Sequence, residues 1–349
     1  MDQAKLDAFM GKALSDMGAA FHAAMVIIGD QRGLYKAMAG AGPMTSAELA
    51  KKADCNERYV REWLNAEAAS GYVEYDKATS RFTLPDEHAM ALADENSPAY
   101  VAGGFYSILG ALRSAEKISE RFRTGEGLGW HEHDPWLFCG TERLFRPGYR
   151  AHLMESWLPA LDGVVPKLRQ GARVADIGCG HGASTIVMAE NFPNSEFIGF
   201  DYHPASIETA RERAADKGLK NVRFETSAAK AFPGPAYDLV AMFDCLHDMG
   251  DPRGTAAHVL SRLNPDGTFL LVEPFAADKP EDNHNLFGRL FYSASTLICT
   301  PCSLSQEVGT ALGAQAGEQR LREVVTGAGF RHFRRAAETP FNLVLEARP

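Results

Sequence analysis

The stretch Asp176-Ile-Gly178-Cys-Gly180-His-Gly182 sets one carboxylate and three alternating glycines at the end of the apolar run R-V-A-D-I. Glycines at that spacing let a backbone turn tightly and approach a ligand, and a helix opening just after them offers unpaired N–H groups. Asp201, in G-F-D-Y-H-P, follows about 20 residues later, where an acid can accept hydrogen bonds from both ribose hydroxyls of a nucleoside cofactor. His247, in M-F-D-C-L-H-D-M-G-D-P, lies between acidic stretches just after the apolar run Y-D-L-V-A-M-F. A histidine whose ordinary pKa is about 6.5 can take a proton from a hydroxyl at neutral pH. A histidine in a turn can equally serve only as a polar cap, so its use depends on where the surrounding elements put it.

Those elements follow from the pattern of apolar runs. R-V-A-D-I-G, E-F-I-G-F-D, V-R-F-E-T-S, Y-D-L-V-A-M-F-D and T-F-L-L-V-E-P read as short strands, with helices around 183–190, 204–217 and 253–263 between them. Such alternation indicates a parallel sheet with helices on both faces. After a long excursion over 276–315, the helix E-Q-R-L-R-E-V-V-T-G-A-G and the strands R-H-F-R-R-A-A-E and F-N-L-V-L-E-A-R complete the sheet. Ligands of open α/β sheets sit beyond the carboxyl ends of the strands, and His247 falls just past one of them.

The N-terminal part has a different character. Residues 2–28 read as one helix rich in Ala, Met and Phe, the kind that a partner subunit buries. Thr45 and Glu48 form a capping-box pattern, and Asn56 caps a second helix whose Val60, Trp63, Leu64 and Ala68 share a face. Gly71 ends that helix, and Y-V-E-Y and R-F-T-L read as a hairpin, which completes a winged helix. The would-be recognition helix carries Arg58 and Arg61 but also Glu57, Glu62 and Glu67, a poor charge for a major groove. Residues 86–170 read as mainly helical with irregular breaks.

With 349 residues, 45% hydrophobic and 23% charged, the chain has an ordinary globular composition, and its net charge of −9 argues against a broad nucleic-acid surface. No early stretch pairs a basic segment with a long apolar run, so no signal peptide or membrane span is expected. Cys55, Cys139, Cys179, Cys245, Cys299 and Cys302 are scattered and do not read as a disulfide framework, which fits a reducing cytoplasm.

The pattern D-x-G-x-G-x-G resembles motif I of the class I S-adenosylmethionine-dependent methyltransferases. The resemblance extends to Asp201, to F-D-C-L-H-D and to L-N-P-D-G-T-F-L-L-V-E-P, and covers roughly residues 140–349. It implies an α/β fold, a Rossmann-like methyltransferase sheet preceded by an α-helical, winged-helix domain. S-adenosylmethionine would be the cofactor, with Asp176, Gly178, Gly180 and Gly182 at its methionine end and Asp201 at its ribose. Tyr202, Phe243 and Asp244 join that site by position. Related enzymes often carry an acid near the adenine, where this chain has Ser227 and Ala228. The whole layout is similar to a bacterial, regulator-like subfamily and to dimeric small-molecule O-methyltransferases, whose N-terminal part dimerises and lines the substrate pocket. By that resemblance residues 1–85 form a dimerisation domain, 86–170 a helical linker and lid, and 171–349 the cofactor domain with a lid insertion at 276–315. His247–Asp248 looks like the base pair of those enzymes, and Glu273 matches the glutamate that orients the histidine. A second supporting glutamate of that family has no counterpart here.

Other readings compete with this one. A winged-helix transcription regulator could use the core to bind a nucleoside effector. An NAD-dependent oxidoreductase fits the glycine spacing, because Ala183 completes a G-x-G-x-x-A pattern. His131, Glu132, His133 and Asp134 could offer metal ligands, but H-x-H without a defined third ligand is a poor signal, and no metal is expected. Cys299 and Cys302 form C-T-P-C without a second pair, and are expected in the lid rather than at a zinc or redox centre. Phe287, Phe291 and Tyr292 stand at helical spacing, which favours plain core over a pocket lining.

Overall fold

Asp2 accepts a hydrogen bond from Lys5 N (3.2 Å) and opens α1 (Gln3–Gln31). The computed structural model describes residues 1–234 and 236–349, which form two units. The first comprises Met1–Gly110 and Pro135–Pro147. In it α2 (Leu34–Met38) and α3 (Ser46–Lys52) follow α1, and Thr45 and Glu48 make the reciprocal capping box that the sequence indicates. Asn56 caps α4 (Glu57–Ala69), and β1 (Glu74–Asp76) pairs antiparallel with β2 (Arg81–Thr83) as the wing. Leu49, Val60, Trp63, Leu64, Val73 and Phe82 close the core of this winged helix.

Only the last part of α1 is buried, at His22, Ala23, Val26, Ile27 and Gly29, whereas Phe9, Leu14, Met17 and Phe21 are 60–80% exposed. One expectation about this unit changes, at Glu67. Glu67 does not face solvent on α4. It is fully buried, accepting hydrogen bonds from Tyr35 Oη (2.8 Å) and facing His22 Nε2 (3.1 Å), so it ties α1 to α4 instead of repelling phosphates.

The chain continues through α5 (Asp86–Leu92), α6 (Ala102–Leu112), α7 (Ala115–Thr124) and α8 (Pro135–His152). A wide helical turn, Leu153–Trp157, then leads to α9 (Val164–Gln170). The second unit, Ala111–Asp134 with Gly148–Pro349, holds the large sheet. Its strands are β3 (Arg173–Ile177), β4 (Glu196–Asp201), β5 (Val222–Thr226), β6 (Tyr237–Phe243), β7 (Leu263–Pro274), β8 (His332–Glu338) and β9 (Asn342–Arg348). Their order is β5-β4-β3-β6-β7-β9-β8, parallel throughout except for β9, which runs antiparallel to both neighbours. The helices α10 (Ala183–Asn191), α11 (Pro204–Asp216) and α12 (Pro252–Arg262) connect the parallel strands. The excursion after β7 forms α13 (Leu286–Ala294) and α14 (Thr300–Leu304) before α15 (Gly317–Gly327).

The central strands carry almost unbroken apolar runs because both of their faces are covered. Val174, Ala175, Ile177, Val240, Met242 and Leu271 are accordingly buried. Strand order reverses between β3 and β6, which are neighbours in the sheet though far apart in the chain. That is the switch point where an open α/β sheet leaves a crevice at its carboxyl edge. Among the described residues, no helix is long and apolar enough to cross a membrane.

Candidate active site

Three glycines turn the chain from β3 into α10, all with positive φ: 72° at Gly178, 51° at Gly180 and 76° at Gly182. They are needed for different reasons. A Cβ on Gly178 would lie 2.8 Å from Cys245 Sγ, and one on Gly182 would lie 2.7 Å from the Phe224 ring. A Cβ on Gly180 would meet nothing within 4 Å, so that glycine faces open space. Gly180 N donates to Asp201 Oδ2 (2.9 Å), and His203 N donates to Asp201 Oδ1 (2.8 Å), which fixes this acid at the end of β4 beside the loop. Burial pushes the Asp201 pKa up, against these backbone bonds.

Asp176 is buried at the end of β3. Ser184 and Thr185 at the start of α10 donate to its Oδ2, each at 2.6 Å, while its buried Oδ1 has no hydrogen-bond partner among the described residues. Burial pushes its pKa up to about 6, with the two hydroxyls opposing. A buried carboxylate oxygen without a partner is costly, and it suits a donor group carried by a ligand. The glycine turn, the uncommitted oxygen of Asp176 and the acid at Asp201 therefore fit a nucleoside cofactor that also carries an ammonium group.

The remaining sequence-indicated cofactor residues are arranged less simply. Ser227 N donates to Asp201 O (2.9 Å) just beyond β5, and Ala228 is exposed next to it. The Tyr202 ring meets His131 edge to face, with centroids 6.4 Å apart. Phe243 is packed against Tyr149 (5.3 Å) and stacked on Trp157 (6.4 Å), both from segments that the sequence reading passed over. Asp244 has a left-handed φ of 51°, uncommon for a side-chain-bearing residue, and accepts from Asn342 Nδ2 (2.9 Å) at the start of β9. Burial, then the charge of Glu273, raises the Asp244 pKa to about 8, so this carboxyl holds its proton at neutral pH.

His247 lies on a short turn, Leu246–Asp248, directly after β6 and is 4% exposed. Its Nδ1 is bonded to Glu273 Oε2, and Leu246 N donates to Glu273 Oε1 at 2.8 Å. Glu273, 1% exposed on β7, is thus held on both oxygens and fixes the ring in turn. Nε2 lies 3.1 Å from Asp248 Oδ1. With a carboxylate at each nitrogen, a neutral ring would turn a lone pair toward one of them, so the charged form is favoured. Burial works against that charge, but Asp248 and Glu273 outweigh it and hold the His247 pKa well above its ordinary 6.5.

Cys299 completes this cluster, although sequence reading assigned it only to the lid. One ligand-type atom each from His247, Asp248 and Cys299 lies within 4.8 Å of the others, the only such group of three among the described residues. Burial, then Asp248, pushes the Cys299 pKa up to about 12, so it is a thiol beside the imidazole. The H-x-H stretch disperses instead. Glu132 Oε2 accepts from Gly129 N (2.7 Å), Asp134 pairs with Arg113 (2.7 Å), and His133 Nδ1 meets Ser114 Oγ (3.1 Å). Phe287 and Tyr292 on α13 are exposed, not core, and Phe287 packs edge to face on Phe341.

Residues 168–325 match a family model described as a methyltransferase domain, and residues 20–94 one described as an Rv2258c-like winged HTH domain. The uncharacterized methyltransferase YcgJ of Bacillus subtilis (strain 168) is 34% identical over 110 residues, which are 31% of this chain and 43% of that protein. The chain spans less than half the length of the first curated relatives it matches. Among solved structures, the mitomycin 7-O-methyltransferase MmcR is 20% identical over the whole of both chains, with a TM-score of 0.71. Human N-acetylserotonin methyltransferase, solved in complex with SAM, is 19% identical over 100% of this chain and 98% of that one, with a TM-score of 0.67. At these identities the likeness to the solved structures is one of fold.

Proposed function

We propose that the chain, whose residues 168–325 match a methyltransferase domain and residues 20–94 a winged helix-turn-helix domain, uses S-adenosylmethionine to methylate a hydroxyl of a small molecule, with His247 as general base. The observation that carries this reading is the buried Glu273–His247 pair at the carboxyl edge of the sheet, next to the glycine turn and Asp201. S-adenosylmethionine, when bound, supplies a methyl group activated by a sulfonium. The open side of Gly180, with Gly178 and Gly182 shaping the turn, takes the methionine end. Asp176 Oδ1 would hold its ammonium and Asp201 the ribose, and Ser227, Ala228 and Tyr202 would border the adenine. Such an enzyme works mainly by alignment, and positioning can supply of order 7–11 kcal/mol in favourable cases.

His247 adds the proton transfer. Glu273 keeps a proton on Nδ1, so Nε2 is the atom that receives the acceptor's proton, and the same carboxylate stabilises the imidazolium that results. The raised pKa favours the protonated ring, so the fraction able to act grows with pH. Oxygen is favoured as the acceptor atom because fold neighbours include a protein named as a 7-O-methyltransferase. A homodimer formed through α1 and a reducing cytoplasmic setting complete the reading, supported by the exposed apolar side of α1 and by six free cysteines. The regulator alternative has less support, because on α4 Arg58 pairs with Glu62 and Arg61 with Glu57 (3.0 Å), leaving no cationic face for phosphates.

Calorimetric titration with S-adenosylhomocysteine tests the cofactor assignment: binding is expected, with loss in Asp201→Ala, and no heat at millimolar ligand sinks it. Once a screen yields an acceptor, His247→Ala should lower kcat about 10²–10⁴-fold, and a loss under about tenfold counts against a general base.

A further inference from the structure

The loop between α7 and α8 lies against the same cluster. A Cβ on Gly127 would lie 2.0 Å from Ser305 N, so backbone rests directly on backbone there, and Leu128 N donates to Pro301 O (2.9 Å). Cys302 lies beside the backbone of Trp130, and the Tyr202 ring meets that of His131 edge to face at 6.4 Å. The loop thus runs from the neighbour of Asp201 to the segment that sets Cys299 against His247. His133 ends it. It is 5% exposed, its Nδ1 faces the buried Ser114 hydroxyl at 3.1 Å, and its buried Nε2 has no hydrogen-bond partner among the described residues. Glu132 and Asp134 on either side are committed to Gly129 N and Arg113.

We propose that His133 is a substrate-binding residue, its Nε2 hydrogen-bonding a second, neutral polar group on the methyl acceptor, so that favoured acceptors carry a hydroxyl or carbonyl beside the hydroxyl that His247 deprotonates. The identity of the reacting hydroxyl rests on the methyltransferase reading; the binding role of His133 does not. A buried ring nitrogen without a partner destabilises the free protein, and a ligand that satisfies it recovers that cost on binding. Burial and Lys117 hold the His133 pKa below 6.5, so the ring is neutral. The Ser114 hydroxyl can donate to or accept from Nδ1, leaving Nε2 free to accept from a hydroxyl or donate to a carbonyl. The Asp248 carboxylate acts electrostatically on both His133 and His247, and its charge disfavours an anionic second group on the acceptor.

Catechol and phenol differ by one neighbouring hydroxyl and serve as probes. Binding of each is measured calorimetrically, with S-adenosylhomocysteine present, to the full chain and to His133→Phe. The wild type should prefer catechol about tenfold, the worth of one good buried hydrogen bond, and His133→Phe should bring the ratio to about one with S-adenosylhomocysteine affinity unchanged. In long-range ¹H–¹⁵N spectra of the wild type, the His133 ring signals should move on adding catechol and not on adding phenol, a readout that does not depend on a variant folding. No catechol preference in the wild type, a preference intact in His133→Phe, or unmoved ring signals would each overturn the proposal. A wild type that prefers catechol through His133 but fails to bind S-adenosylhomocysteine would uphold it and sink the methyltransferase reading alone.

Discussion

At the scale of single residues, the site is governed by charge packed around one ring. Glu273 and Asp248 flank His247 and favour its protonated form, and this has opposite consequences for stability and for activity. A histidine whose folded pKa is raised contributes stability that is fully present below pH 6.5 and is lost as pH rises through the folded value. Activity that needs the neutral ring moves the other way, gained as pH rises through that value. Asp248→Asn removes one of the two negative charges, so the cation is less favoured and the His247 pKa falls. Titration of the ring by NMR should show that fall directly, and the acid limb of kcat/KM should move to lower pH. A titration curve that does not move would show that Glu273 alone sets the charge. His247 and Asp201 were legible in the sequence because each closes or lies just past a strand of recognisable composition, and Glu273 through the family resemblance alone. Cys299, Asn342 and Tyr149 were not, because their contacts with His247, Asp244 and Phe243 bridge long loops that leave no periodic trace.

At the scale of elements, the glycine turn separates what folding needs from what a cofactor needs. Gly182→Ala would force a Cβ into the Phe224 ring in addition to imposing a left-handed φ, whereas Gly180→Ala carries only the second cost. A left-handed φ costs a side-chain-bearing residue roughly 1–2 kcal/mol, and overpacking adds about 1–3 kcal/mol more. For a unit of this size that corresponds to a Tm loss of roughly 2–8 °C for Gly180→Ala and roughly 4–20 °C for Gly182→Ala. Gly180→Ala should nonetheless be the variant that loses S-adenosylhomocysteine binding by at least about tenfold, since its new methyl enters the open side of the turn. If its affinity equals wild type while its melting shifts, Gly180 does not face the ligand. Strands were easy to recognise for a related reason: branched and aromatic runs buried on both faces have few alternatives. Their arrangement was less so, because the antiparallel insertion of β9 between β7 and β8 is a matter of pairing, not of composition. On α13 the spacing of Phe287 and Tyr292 described a helix correctly but not its surroundings, since helical periodicity marks an apolar face without saying what covers it.

At the scale of the whole molecule, the same ambiguity becomes a prediction about assembly. Leu6, Met10, Leu14, Met17 and Phe21 recur at intervals of three and four along α1, which places them on one stripe. Of these Met10, Leu14, Met17 and Phe21 are exposed, and the winged-helix core begins to bury α1 only at His22. A stripe of large apolar side chains in water is unfavourable at about 25 cal/mol per Å², and a second copy of the same helix can cover it through a two-fold contact. The full chain should therefore elute and scatter light as a species of twice 38.0 kDa. Leu14→Glu combined with Met17→Glu should give a monomer with an unchanged circular dichroism spectrum, because neither side chain contributes to the buried core. A wild type that is monomeric at micromolar concentration, or a double variant that remains dimeric, would remove α1 as the assembly surface. Binding of S-adenosylhomocysteine should survive in the monomeric variant, since Asp176, the glycine turn and Asp201 all belong to the second unit.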